Sequence, residues 1–248
     1  MKYTKQLVSG RDIDLTQHNL GVIKQLRVDD FMGELDVIDF IKPFYLERLW
    51  KVNGLLEEGT SFTFYIAFSL QQQQGELLDE LIHYLTMLYK TEKVTLEAFH
   101  NNELKVIVRD DNGKMIAVID DSNFDVLCET IMIISNYPEP VKKEEEKIEG
   151  DEETLKLFEK YQKEYDEKHK SNKTIEFEEI VREVIHTRKG TYEDVKNLTV
   201  WQLNDAYMTY VYMENERFEK SLVASGCYKV DKNNPIKRWQ DQTKLSRN

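Results

Sequence analysis

Leu198-Thr199-Val200-Trp201-Gln202-Leu203 is the stretch that fixes the C-terminal architecture, because it marks where a long helix begins. Thr199 followed three positions on by Gln202 has the spacing of a capping box. The hydroxyl can take an orphan N–H of the first turn, and the Gln amide can reach back to the cap. Leu198 before the cap and Leu203 after it have the spacing of a hydrophobic staple. The helix then carries Trp201, Tyr207, Met208, Tyr210, Tyr212, Met213 and Phe218, more large side chains than one core stripe needs. Aromatic residues and Met dominate protein–protein contacts. They spread around more than one helical face, and a lone helical region of ~100 residues cannot easily cover all faces. Some should therefore be buried against the rest of the chain or against a partner. Gly226 ends the segment, and the basic stretch Pro235-Ile236-Lys237-Arg238-Trp239 follows.

Upstream the hydrophobic period changes several times. Residues 1–33 are mixed, with short apolar patches at Ile13, Leu15, Val22, Ile23 and Leu26. From Leu35 to Val52 the spacing of Leu35, Ile38, Ile41, Tyr45 and Leu49 predicts a helix, which Pro43 should kink or divide. Phe62–Leu70 predicts a buried helix, and Glu76–Lys90 an amphipathic one with Leu77, Leu81, Tyr84 and Leu88 on one face. Val94–Phe99, Leu104–Val108 and Met115–Ile119 read as strands. The last two face each other across Asp110-Asp111-Asn112-Gly113-Lys114, where Asn-Gly signals a tight hairpin with positive φ at both central positions. A further helix is expected over Asn123–Ser135.

Tyr137-Pro138-Glu139-Pro140 and the charge run through Glu146 form the clearest boundary, since the prolines halt regular structure and the charges cannot bury themselves. Beyond it Leu155, Phe158, Tyr161 and Tyr165 make a narrow apolar seam that wants one partner helix, and Ile175–Ile185 a short helix closed by Gly190. The expected class is α+β. It comprises a mixed domain with an antiparallel hairpin over 1–137, an acidic linker over 138–150, and a helical partner-binding domain over 151–248.

The chain has 248 residues and a net charge of −12, which argues against nucleic acid as a partner, because phosphate binding needs clustered Lys and Arg. Its two cysteines, Cys128 and Cys227, form no framework or C-x-x-C pair, and Cys128 reads as a small core residue. No apolar N-terminal region and no run of ~20 apolar residues is visible, so neither export nor a membrane partner is expected. The reading is a soluble protein of a reducing cytoplasm.

Catalytic patterns are scarce. Glu-x-x-His occurs as Glu80/His83, Glu97/His100 and Glu183/His186, a spacing that di-iron helix bundles use. The middle pair falls on a strand, where residues three apart point to opposite faces. With so many Glu in the chain, chance pairs are expected, and no metal or other cofactor is assigned. The Asp-rich hairpin turn lacks the further ligands of a calcium loop. Asp110-Asp111 and Asp120-Asp121 sit where Asp serves turns and caps. Phosphate-loop, dinucleotide, nucleophile-elbow and zinc-protease motifs are absent, so the chain is not expected to be an enzyme.

Two patches carry a family resemblance. One is Asn197-Leu198-Thr199-Val200-Trp201-Gln202-Leu203 opening a terminal helix, with a polar spacer and the late Trp239. The other is the Val106–Asp120 hairpin, then Asp121-Ser122-Asn123-Phe124-Asp125-Val126-Leu127 opening a helix, and Asn136 before a Pro-containing linker. In these patches and in the order of parts the chain resembles tail assembly chaperones of tailed bacteriophages of Gram-positive hosts. The resemblance implies a protein of the host cytoplasm that coats the aggregation-prone tape measure protein and helps recruit tail tube subunits. A structural part of the virion tail or baseplate, such as a connector or adaptor, is the alternative, and self-association is left open. The contact surface expected from the aromatic surplus and the resemblance together is Trp201, Tyr207, Tyr210, Tyr212 and Trp239, with Tyr161 and Tyr165 secondary.

Overall fold

The computed structural model describes residues 2–33, 36–56, 59–72, 75–99, 103–140, 176–225, 236 and 238–242. The fold is α+β. Four helices, α1 (Thr4–Ser9), α2 (Val37–Val52), α3 (Ser61–Gln72) and α4 (Glu76–Tyr89), precede a three-stranded antiparallel sheet of β3 (Val94–Ala98), β4 (Leu104–Arg109) and β5 (Met115–Ile119). Between α1 and α2 a two-stranded ribbon forms from β1 (Ile13–Asp14) and β2 (Val22–Ile23). Helix α5 (Phe124–Ile134) follows the sheet. After the expected acidic linker come α6 (Phe177–Arg188), α7 (Tyr192–Val195), α8 (Val200–Ala224) and the short α9 (Trp239–Gln242). The linker from 141 onward, together with the seam of Leu155, Phe158, Tyr161 and Tyr165, lies outside the described residues.

Pro43 does not divide α2, which runs unbroken through it. The buried face matches the expected stripe only in part: Ile41 is buried as expected, but Ile38 is exposed, and Phe40, Phe44 and Trp50 are buried as well. The reason is tertiary. α2 packs against both α4 and α5, so its core face is set by edge-on ring contacts, Phe40 with Phe31 (5.5 Å) and with Tyr84 (5.4 Å). Trp50 meets Phe68 of α3 at 4.7 Å, and Phe124 of α5 meets Phe62 at 5.2 Å. Two buried tyrosines each satisfy their hydroxyl on a carbonyl, Tyr65 on Leu77 (2.9 Å) and Tyr89 on Leu20 (2.7 Å). Cys128 is a fully buried free thiol among these rings.

The hairpin forms where expected but with a different turn. Only Gly113 takes positive φ (+81°), and Asn112 does not. The N–H of Gly113 donates to the carbonyl of Asp110 (2.9 Å), and the register slips between Val108 and Arg109. A left-handed Gly after a tight turn, with a bulge beside it, replaces a two-residue turn. The Asp110 carboxylate stabilises it by accepting from the N–H groups of Asn112 and Lys114 (both 2.9 Å). Asp120 accepts likewise from Ser122, while Asp121 reaches across to the first turn of α3 and accepts from the Thr63 N–H (2.9 Å). Asn123 is buried and donates to the carbonyls of His18 and Val118, tying the N-terminal segment to β5.

That N-terminal segment, weakly patterned in sequence, supplies Leu7, Ile13, Leu15, Leu20 and Ile23 to the core, all fully buried. Gly21 holds the ribbon so close to β5 that a Cβ there would come within 2.5 Å of the Ile116 carbonyl oxygen. The C-terminal helices join the same core. The N–H of Val28 donates to Leu198 O (2.9 Å), that of Val200 donates to Leu26 O (3.2 Å), and Arg27 pairs with Thr199 in an antiparallel bridge. Val200 and Trp201 sit in the main core, while Val28 sits in a second small core with Val181, Val184, Val195 and Leu203. The described parts of the two expected domains therefore share buried surface.

The capping box at Thr199 forms as its spacing predicts. The Gln202 N–H donates to Thr199 Oγ1 (3.2 Å), the Thr199 N–H donates to Gln202 Oε1 (2.9 Å), and Gln202 Nε2 donates onward to Val8 O (2.9 Å). Thr199→Ala should cost roughly 1 kcal/mol. Because Thr199 is buried at the junction, the loss should appear in the denaturant midpoint of the whole cooperative transition.

Glu47 of α2 is fully buried, and neither carboxylate oxygen has a hydrogen-bond partner. Burial raises its pKa above the ordinary carboxylate value, opposed by the nearby charges of Arg48 and Lys51. The folded state thus holds a proton that the unfolded chain releases more readily. The stability this gives is full below the ordinary value and is lost as pH rises through the folded pKa. Glu47→Gln should therefore gain on wild type in melting temperature as pH rises from acidic towards neutral, and differential scanning calorimetry across that range checks it.

Candidate partner-binding groove

α6 and α8 pack against one another, and their start and stop signals place the side chains between them. α6 opens on a capping box between Glu176 and Glu179 and closes on Lys189, which takes the left-handed conformation (φ +52°), rather than on Gly190. The chain then turns through α7, whose Tyr192 hydroxyl donates to Asp29 Oδ1 (2.8 Å). Burial first, and the Asp29 carboxylate second, push this phenol up to about 12. Tyr192 thereby adds a further tie between the C-terminal helices and the segment before α2.

Four faces of α8 do four different things. Trp201 is 2% exposed and belongs to the main core, against the expectation of a surface contact. The Leu26–Val28 bridge holds the start of α8 against the N-terminal segment, which turns the indole inward. Tyr207 covers the small core beside α6, and burial with the neighbouring Glu183 and Glu179 raises its phenol pKa. Tyr210 and Met213 are half-buried and line a groove. Met208 (38% exposed) and Phe218 (63% exposed) face outward. Tyr212 is half-buried and lines neither the groove nor either core. Trp239 lies in α9, which packs on α8, but its side chain is outside the described residues, as are Tyr161 and Tyr165.

The groove is an open cavity of about 730 Å³. One wall is a single face of α8, with Gln202, Ala206, Thr209, Met213 and Arg217 recurring at three and four residues, the helical period. Leu198, Trp201 and Tyr210 give it an apolar lining, and Val8 of α1 closes one edge. The C-terminal end of α6 supplies the opposite wall with His186, Thr187, Arg188 and Lys189. Cationic side chains thus outnumber the one acidic lining residue, Asp205, in a chain that is acidic overall. Arg217 is also paired with Glu214 (2.5 Å). An apolar lining edged by Arg and Lys suits an amphipathic segment that brings apolar side chains and carboxylates.

Of the expected contact residues whose side chains are described, Trp201 and Tyr210 come together here, and Tyr207 and Tyr212 do not. Ala206, Thr209, Met213 and Arg217 could have been found from the helical period alone. Val8 could not, because no pattern links it to a helix almost two hundred residues later. Among the described residues no cluster of three His, Cys, Asp or Glu side chains could hold a metal ion, and no helix is long and apolar enough to cross a membrane.

A long helix with a groove along one face, set on an α+β body, is what the geometry defines. The model of a family described as the YomV second domain, a phage-associated name, matches residues 168–244, which contain every groove residue except Val8. The match points to a phage protein. No curated protein and no solved structure matches the chain.

The burial difference between two groove aromatics is directly testable. Trp201→Ala should lower folding stability by roughly 3–5 kcal/mol, as large core truncations do. Tyr210→Ala, at a half-buried position, should cost much less, and urea denaturation of both variants measures the contrast.

Proposed function

We propose that this chain is a non-enzymatic tail assembly chaperone of a tailed bacteriophage. It binds the tape measure protein in the host cytoplasm and helps recruit tail tube subunits. The observation that carries the reading is the groove along α8, an apolar channel with a cationic edge that falls within the segment matched by a phage-associated family. The resemblance of the capping-box helix and of the Asn123 helix start to tail assembly chaperones supports it as well. A tape measure protein is long and helix-rich, and an apolar helical face with flanking carboxylates would lie along Tyr210 and Met213 between Arg188 and Arg217. Contacts of this kind exchange readily, as a chaperone displaced during assembly requires.

Co-expression with the tape measure protein of the same phage, followed by affinity capture, tests the assignment. Tyr210→Ala combined with Met213→Ala should weaken capture by about 2 kcal/mol or more if the pair forms the centre of the interface. Its circular dichroism melt should stay close to wild type. Mass spectrometry of purified virions should not find the protein. Its presence there would assign it instead to the tail or baseplate structure, and wild-type protein that captures no tail component removes the chaperone reading.

A further inference from the structure

A second cavity, of about 520 Å³, opens where α2, the start of α3 and the start of α5 converge, well away from the α8 groove. Its lining includes three carboxylates (Glu47, Asp121 and Asp125), one cation (Lys51) and the hydroxyls of Ser61 and Ser122. Two of the carboxylates are occupied. Asp121 caps α3 through the Thr63 N–H (2.9 Å) and hydroxyl (2.5 Å), and Asp125 takes Lys51 Nζ (3.1 Å). Glu47 is different: it is 0% exposed, lines the cavity, and has no hydrogen-bond partner on either oxygen. The nearest cations on its own helix are committed elsewhere, Lys51 to Asp125 and Arg48 to Glu139 (2.9 Å).

An ionised carboxylate held out of water without a partner is strongly disfavoured, and such groups in proteins are paired or neutral. A cavity that gathers three carboxylates against one ammonium has room and charge for one more cation. The arrangement does not suit a bare metal ion, because no three acidic side chains among the described residues stand close enough to share one. It suits a larger cation whose several N–H donors reach separate acceptors. The volume lies within the range of small-molecule sites, about 300–1,000 Å³.

We propose that this cavity binds an ammonium or guanidinium head group, with Glu47 as its innermost acceptor and Asp125 and Ser61 as the flanking ones. The cation forms a charge-assisted hydrogen bond with Glu47, which ionises as it binds. Since burial raises the Glu47 pKa, binding releases a proton and tightens as pH rises. The charged groups bearing on that titration are Arg48 and Lys51 on α2, Asp125 on α5 and Glu139 beyond it, and the buried Cys128 thiol of α5, pushed up by burial and neutral, is the other titratable neighbour.

Isothermal titration calorimetry on the full chain tests the site with methylamine, agmatine and the capped peptide acetyl-Gly-Lys-Gly-amide. The expected result is saturable binding of one cation per chain, tighter at alkaline than at acidic pH, with a heat that depends on the buffer's ionisation enthalpy. Glu47→Gln should bind at least about tenfold more weakly, the loss of one hydrogen bond to a charged group. Preference for the free amines supports the site with a diffusible cation as its ligand. Preference for the peptide supports it with a lysine of a partner chain. If Glu47→Gln does not fold, Asp125→Asn replaces it, because freeing Lys51 beside the cavity should also weaken binding. No saturable heat from any of the three probes overturns the proposal, as does equal affinity for wild type and whichever of these variants folds.

Discussion

An antiparallel β-bridge between Arg27 and Thr199, made by the Val28 N–H to Leu198 O and Val200 N–H to Leu26 O hydrogen bonds and extended by Asp29 N–H to Lys196 O (3.1 Å), is the constraint on which the joining of the described halves of this protein depends. These contacts are few, but they fix the entry point of α8, and nearly everything in the C-terminal half follows from it. Thr199 lies in the bridge, so its capping box is built at the junction and not on a free helix end. Trp201, two residues on, is driven inward, and Leu203 is delivered to the small core shared with Val28 and α6. Gln202 then uses its remaining donor on Val8 O, so one side chain caps the helix and pins α1. Shifting the bridge by one residue would turn the side chain of each strand position to the other side.

The same junction explains why the aromatic helix is not a uniform sticky surface. A helix fixed at one end presents each face to a defined neighbour. On α8 those neighbours are the main core, α6, the groove and solvent. Hydrophobic side chains on the first two are consumed by folding. Among the described residues the third and fourth are left uncovered by these cores, and the third combines curvature, apolar lining and charge. Position along the helix therefore decides what a side chain meets more than residue type does, and Tyr207 and Tyr210, three residues apart, fall on different sides of that division.

Much of this was legible in the sequence. A continuous apolar run marks α3 and a clear amphipathic period marks α4, both with small errors at their ends, and the change of period marks the three strands. Thr199 and Gln202 declared their cap outright, because a capping box depends only on local spacing. What failed was non-local. The period of Leu35, Ile38, Ile41, Tyr45 and Leu49 predicts a stripe on α2 of which Ile41 is buried and Ile38 exposed, whereas contact with two other helices also brings in Phe40, Phe44 and Trp50. Asn-Gly suggested a two-residue turn, but the Asp110 carboxylate stabilises a longer one. The first thirty-three residues looked irregular because their core side chains are spaced by ribbon, turn and short helix, not by one period. Glu47 was invisible for a related reason. Within a helical pattern it reads as an ordinary charged position, and only the closure of α3 and α5 around α2 buries it.

Burial of Glu47 and exposure of the groove are opposite uses of the same packing. Where α2 meets α5, burial leaves the Glu47 carboxyl group in a medium that disfavours its charge, so proton or cation occupancy becomes coupled to the integrity of the core. Where α8 runs past α6, the helices leave a channel whose Arg and Lys side chains can still be solvated. A charged partner there costs little to desolvate and can be released, which suits a transient complex. The two sites are also joined mechanically. α5 carries Asp125 at its start and contacts α8, and Asn204 donates to the carbonyl of Ser135 (3.3 Å) just beyond its end. A cation seated on Glu47 would therefore stiffen the helix against which α8 rests.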